Sequence, residues 1–119
     1  MVGLKEFITS PASYEALVVG SGKSGFAALQ FLQRLGSRVA LSEKAEESAL
    51  DGKLLKWLKE NDVYYETGGH RRETFLDADL IVVSPGVPLE MAELVAARQA
   101  GGEIVGELGL GAAYLQIPI

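Results

Sequence analysis

The chain has 119 residues, with 14 glycines, no cysteine, a single histidine and a formal net charge of −5 at pH 7. That length suits one domain able to bury a core unaided, and the lack of cysteine excludes a disulfide framework, thiolate metal sites and a cysteine nucleophile. With only His70 a multi-histidine metal site is excluded. The absence of a Lys/Arg block argues against nucleic acid, and no apolar run nears the roughly 20 residues needed to span a bilayer.

Residues 1–13 read as a lead-in segment of little periodicity. Ala16-Leu17-Val18-Val19 is a compact apolar run bounded by glycine, so the first strand is predicted over 16–20. Gly20, Gly22 and Gly25 then fall at the G-x-G-x-x-G spacing. The first glycine permits a tight turn, the second lets backbone approach a phosphate, and the third lets a helix pack closely on the strand. A helix over 24–35 follows. Gln30, Gln33 and Arg34 mark its solvent side, Ala28, Phe31, Leu32 and Leu35 its inner stripe, and Gly36 its stop. Gly22-Lys23-Ser24 has the ending of an ATP-binding P-loop. The opening glycine of that motif would fall at Leu17, inside the apolar run, so the dinucleotide-type turn is the better reading.

Residues 38–42 form the second strand, with Glu43 at its carboxyl end. Glu46 or Glu47 is expected to open a second helix, with Leu50, Leu54, Trp57 and Leu58 as its apolar stripe and Asn61-Asp62 as its end. Residues 63–67 make a short third strand, followed by the turn Gly68-Gly69-His70. Residues 79–83 make a fourth strand whose centre, Leu80-Ile81-Val82-Val83, is continuously apolar, as burial on both faces requires. Its exit is Ser84-Pro85-Gly86-Val87-Pro88, and Pro88 is placed to open a helix with Met91, Ala92, Val95 and Ala96 inward. Gly101-Gly102 stops that helix, 103–105 is a fifth strand, and 107–115 a weak glycine-interrupted helix.

This alternation predicts an α/β, Rossmann-like, doubly wound parallel sheet of five strands in the order 3-2-1-4-5. Ligands of such sheets bind at the carboxyl ends of the strands where the winding reverses. Gly20 to Gly25, Glu43 and Ser84 to Gly86 therefore converge on one crevice, which suits a phosphate-bearing nucleotide held on helix N–H groups. Glu43 is placed to accept hydrogen bonds from ribose hydroxyls or from a base N–H. In the Ser84-Pro85-Gly86 turn, proline fixes the backbone and glycine admits a planar ring. His70 reads as a loop residue, and Asp77, Asp79 and Glu90 as solvated or capping acids. Three readings stand open: a site for a phosphate-bearing nucleotide of undetermined base, an NAD(P) site of an oxidoreductase or sensor, and an interaction domain without ligand.

Residues 14–119 resemble the N-terminal domain of the Mur ligases. The resemblance rests on Val18-Val19-Gly20-Ser21-Gly22-Lys23-Ser24-Gly25, on Val39-Ala40-Leu41-Ser42-Glu43-Lys44 and, most specifically, on Ala78-Asp79-Leu80-Ile81-Val82-Val83-Ser84-Pro85-Gly86-Val87-Pro88. Ile104-Val105-Gly106-Glu107-Leu108 resembles the segment leading to the family's central domain, and Ile117-Pro118-Ile119 would run into an ATPase domain absent from this chain. The branch it resembles most joins D-glutamate to UDP-N-acetylmuramoyl-L-alanine.

The resemblance implies that the domain binds the uridine diphosphate portion of that substrate and does not itself catalyse. Gly22, Lys23 and Ser24 match positions that hold the diphosphate, Glu43 with Lys44 the position that reads the uracil end, and Ser84 and Gly86 the turn flanking the base. No catalytic residue, metal site or cofactor is expected here. ATP and Mg2+ would belong to the other domains of a cytoplasmic, monomeric ligase acting in peptidoglycan synthesis. The chain departs from the family pattern in carrying Glu43 where Asp is usual, Lys23 where an apolar residue is common, and Gly109 where a glutamate is common.

Overall fold

The computed structural model describes residues 4–106. The helix expected over 107–115, Gly109 and the final Ile117-Pro118-Ile119 lie outside the described residues. In chain order the elements are α1 (Leu4–Thr9), a 3-10 turn (Pro11–Ser13), β1 (Glu15–Val19), α2 (Lys23–Arg34) and β2 (Arg38–Ser42). A second 3-10 turn (Glu47–Ala49), α3 (Gly52–Glu60) and β3 (Tyr64–Glu66) follow, then α4 (Arg72–Asp77), β4 (Leu80–Val83), α5 (Ala92–Gln99) and β5 (Glu103–Gly106).

The five strands form one sheet in the order β3-β2-β1-β4-β5, and every pair is parallel. This is the doubly wound order expected. Strand geometry divides the core cleanly, because successive side chains point to opposite faces. Ala16 and Val18 join Leu80 and Val82 on one face, where Ala28, Leu29 and Leu32 of α2 and Leu54 and Leu58 of α3 cover them. Leu17 and Val19 join Ile81 and Val83 on the other, under Phe75 of α4 and Leu94 and Ala97 of α5. Leu17 is thus fully buried in a strand, and the P-loop reading is excluded.

Several elements differ from the sequence expectation. The lead-in carries α1, whose Phe7 is fully buried against the first face, its ring 6.4 Å from that of Tyr14. The first helix turns Gly25, Ala28, Leu29 and Leu32 inward, leaving Phe31 and Leu35 only partly buried. Helix α3 begins after Asp51, not at Glu46 or Glu47, because the Asp51 carboxylate accepts the Lys53 N–H at 2.9 Å and caps it. Trp57 packs edge-on to Phe26 at 5.8 Å, as a core anchor. The six-residue α4 has no counterpart in the sequence reading, since Phe75 alone is buried on it. Proline at Pro88 closes a turn, accepting the Met91 N–H at 3.3 Å, and α5 starts at Ala92 with Leu94 and Ala97 inward and Ala92 exposed. Asp79 is a capping acid, accepting the Glu15 N–H at 2.8 Å. Among the described residues no helix is long and apolar enough to cross a membrane.

Candidate functional site

At the carboxyl edge of the sheet the chain leaves β1 through Gly20, whose φ of +105° favours glycine. Its N–H donates to the Ser42 carbonyl of β2 at 3.0 Å, while the Ser84 N–H past β4 donates to the Val19 carbonyl at 3.0 Å. These bonds extend the ladder on both sides and bring three loops together where the winding reverses.

The three glycines of the turn divide into two kinds. A methyl group on Gly25 would collide with the Gly20 carbonyl oxygen, and one on Gly20 would lie 2.9 Å from Ser84. Both are required by the packing of turn on helix. Gly22 has an ordinary φ of −66° and nothing within 4 Å of where a Cβ would sit. The fold makes no demand for glycine at position 22. It caps α2 without a side chain, so the amides of the first turn lack intrahelical partners at the positive end of the helix dipole.

Glu43 binds the neighbouring loops together. One carboxylate oxygen accepts the Ser21 N–H at 2.8 Å and the other accepts the Ala45 N–H at 2.8 Å. Burial disfavours its charge, but the Ser21 hydroxyl and these backbone bonds outweigh it and hold the carboxyl below its ordinary range. Glu43 therefore stands ionised beside the glycine turn.

Behind it lies a cluster that sequence reading did not find. The Glu66 carboxylate accepts the Ser42 hydroxyl and the Thr74 hydroxyl, each at 2.6 Å, the Arg71 N–H at 3.0 Å and the Tyr64 hydroxyl at 3.3 Å. Burial opposes its charge, but these donors win and lower its pKa from 4.5. The Ser42 oxygen is also 2.6 Å from His70 Nδ1, and the His70 ring packs edge-on to Phe75 at 5.6 Å. Serine, histidine and an acid are together here, but in the wrong order for nucleophilic catalysis. Ser42 sits between the other two, fully buried, with its proton committed to the carboxylate. Nothing in the sequence marked this cluster, because Ser42 reaches Glu66 and His70 only once β2 and β3 pair.

A cleft of about 650 Å3 runs along this edge, within the size range of small-ligand sites. All of Gly22, Lys23, Ser24, Glu43, Lys44, Ser84 and Gly86 line it, joined by His70, Val87, Pro88 and Met91. Lys23, Ser24, Lys44 and Gly86 are exposed, Glu43 is half-buried and Ser84 buried. Gly86 has a φ of +92° with open space around it.

A five-stranded parallel sheet with a glycine turn, an open helix N-terminus and a cleft at the switch point defines a Rossmann-like domain. The family model for the Mur ligase MurD-like N-terminal domain matches residues 14–106, and the chain belongs to that family. It is 48% identical over 102 residues to the UDP-N-acetylmuramoylalanine--D-glutamate ligase of Acidobacterium capsulatum, covering 86% of this chain and 22% of that protein. The enzyme of the same name from Geotalea uraniireducens is 40% identical over 103 residues, covering 87% of this chain and 22% of the relative. The chain thus spans about a fifth of the length of these curated relatives. The crystal structure of UDP-N-acetylmuramate-alanine ligase MurC from Thermotoga maritima superposes with a TM-score of 0.70 at 21% identity, over 87% of this chain and 23% of that one. That likeness establishes the shared fold.

Three variants test the division of the glycines and the buried acid. Gly22→Val should remove nucleotide binding while leaving the unfolding midpoint near that of the parent. Gly25→Ala should cost about 2 kcal/mol or more, read by urea unfolding, because backbone must move. For Glu66 the folded pKa lies below the unfolded 4.5. Its contribution is complete above that value and lost as pH falls through the lower folded one. Glu66→Gln should therefore cost about 1–3 kcal/mol at neutral pH, and its deficit relative to the parent should shrink in urea titrations carried below pH 4.5.

Proposed function

We propose that the cleft binds the uridine diphosphate portion of UDP-N-acetylmuramoyl-L-alanine. The chain would then be the substrate-anchoring domain of an ATP-dependent ligase that adds D-glutamate in peptidoglycan synthesis. The observation that carries this reading is the open N-terminus of α2 beside Gly22, whose Cβ position is empty although the fold does not require glycine there. A glycine that packing leaves free is explained by close approach of a ligand. First-turn amides without intrahelical partners, with a helix dipole behind them, favour a dianionic diphosphate, and Lys23 adds positive charge at the rim. Membership of the MurD-like family and the names of the relatives support the uridine substrate over other nucleotides.

The residues divide the work by chemistry. Backbone at Gly22 to Gly25, with the Ser24 hydroxyl, holds the diphosphate. Glu43 fixes the turn through Ser21, so that those amides are aligned before the ligand arrives. Ser84 and Gly86 form the opposite wall, where the glycine leaves room for a flat ring. ATP and Mg2+ would act in domains beyond these 119 residues, activating the substrate carboxylate for attack by the D-glutamate amine. This chain binds and orients, and takes no part in the bond-forming step. The enzyme would work in the cytoplasm, as a monomer.

A thermal-shift comparison of UDP-N-acetylmuramoyl-L-alanine, UDP and NAD tests the proposal. A ligand at about 100 times its Kd stabilises by about 2.7 kcal/mol, several degrees for a domain of this size. Both uridine compounds should raise the midpoint and NAD should not. A shift with NAD alone would replace the reading with an oxidoreductase-type one.

A further inference from the structure

We propose that His70 is a specificity-determining residue of the cleft, whose Nε2 accepts the imide N–H of a uracil base and excludes cytosine. The inference rests on the reading of the cleft as a uridine-nucleotide site and adds the atom that tells one pyrimidine from another.

The argument is a proton count. Glu66 is ionised, so it only accepts hydrogen bonds. One of its oxygens takes Ser42 Oγ and the Arg71 N–H, the other Thr74 Oγ1 and the Tyr64 hydroxyl. All four lone-pair sites are used. The Ser42 hydroxyl has one proton, and at 2.6 Å from a carboxylate oxygen that proton is committed. Ser42 Oγ can then only accept from His70, 2.6 Å away. Nδ1 must carry the ring proton, and in the neutral imidazole Nε2 is left as a bare acceptor. Phe75, fully buried, packs against the ring and sets its plane. No described residue donates to Nε2, and His70 lines the cleft beside Glu43 and Lys44.

Charge decides which part of the ligand meets this acceptor. The ionised Glu43 carboxylate repels phosphate from the β2 side of the cleft, while the open amides of α2 attract it to the glycine turn. The base therefore falls toward Glu43 and His70. Uracil carries a ring N–H at its pairing edge, where cytosine carries a lone pair. A fixed acceptor bonds the first and faces the second lone pair to lone pair. A site that hydrogen-bonds one form rejects the other more strongly than an apolar pocket could. Ser42 and Glu66 are positioning residues, because they act only through the tautomer of His70.

The test is the ratio of UDP to CDP affinity, measured by calorimetry on the 119-residue chain at a pH where the imidazole is neutral. The parent should favour UDP by about tenfold or more. His70→Phe, which keeps a ring against Phe75, removes both the bond to uracil and the repulsion of cytosine, so it should weaken UDP binding and strengthen CDP binding until the ratio is near one. Ser42→Ala keeps the imidazole but frees its tautomer, and should lower the ratio part of the way. Nitrogen-15 NMR of the free parent reads the tautomer without any variant, and should show Nδ1 protonated and Nε2 bare. An Nε2-protonated ring overturns the proposal, as does a UDP preference that survives in His70→Phe. Equal affinity of the parent for UDP and CDP also overturns it while leaving the nucleotide site intact. Binding of neither overturns the site reading and this proposal together.

Discussion

A side chain of any size on Gly25 would strike the carbonyl oxygen of Gly20, and the rest of the molecule's functional edge depends on that close contact. It seats α2 directly on the end of β1, so the helix points its amino end at the sheet's switch point instead of past it. Gly20 turns sharply enough to permit this and packs against Ser84 from the neighbouring loop. Strands β1 and β4, buried on both faces from Ala16 onward in β1 and throughout β4, hold the two loops in register. The core that covers them, from Phe7 on one face to Leu94 on the other, is in effect the foundation of a turn only a few residues long.

From that turn the cleft acquires two electrical ends. Toward α2 it is positive, through oriented amides and Lys23. Toward β2 and β3 it is governed by two carboxylates of different character. Glu43 is half-buried and links Ser21 to Ala45, and its charge faces the ligand side. Glu66 is buried, with every lone pair occupied, and its influence reaches the cleft only through Ser42 and His70. A nucleoside diphosphate has the matching asymmetry, with a charged diphosphate at one end and a polar neutral base at the other. On the proposed reading the glycine turn supplies affinity and the histidine supplies discrimination.

Much of this was legible in the sequence, for identifiable reasons. Continuous apolar runs at 16–19 and 80–83 suit buried parallel strands, and the glycine spacing after the first suits a tight turn, so the strand order and the convergence of Gly20 to Gly25, Glu43 and Ser84 to Gly86 on one cleft could be read directly, with Lys44 added by the family resemblance. What escaped was set by tertiary contact. Helix α4 has one buried residue and no periodicity to betray it. The start of α3 depends on which of several acids caps it, and Asp51 does so because its side chain meets the Lys53 amide. The start of α5 depends on a turn closed by Pro88, which looked like a helix opening. His70 is the instructive case. Its role is fixed by Ser42, 28 residues away in sequence and brought beside it only when β2 and β3 pair, and by Glu66, which takes the Ser42 proton.

The central claim is that one cleft, built from the ends of β1, β2 and β4 together with the His70 turn, receives a uridine diphosphate. Titrating the nitrogen-15-labelled chain with UDP and following backbone amides by NMR tests it most directly. The account predicts concerted shifts at Ser21 to Gly25, Glu43 to Ala45, Gly69 to His70 and Ser84 to Gly86, with the far ends of the strands unmoved. Shifts confined to another surface, or none at saturating UDP, would contradict it.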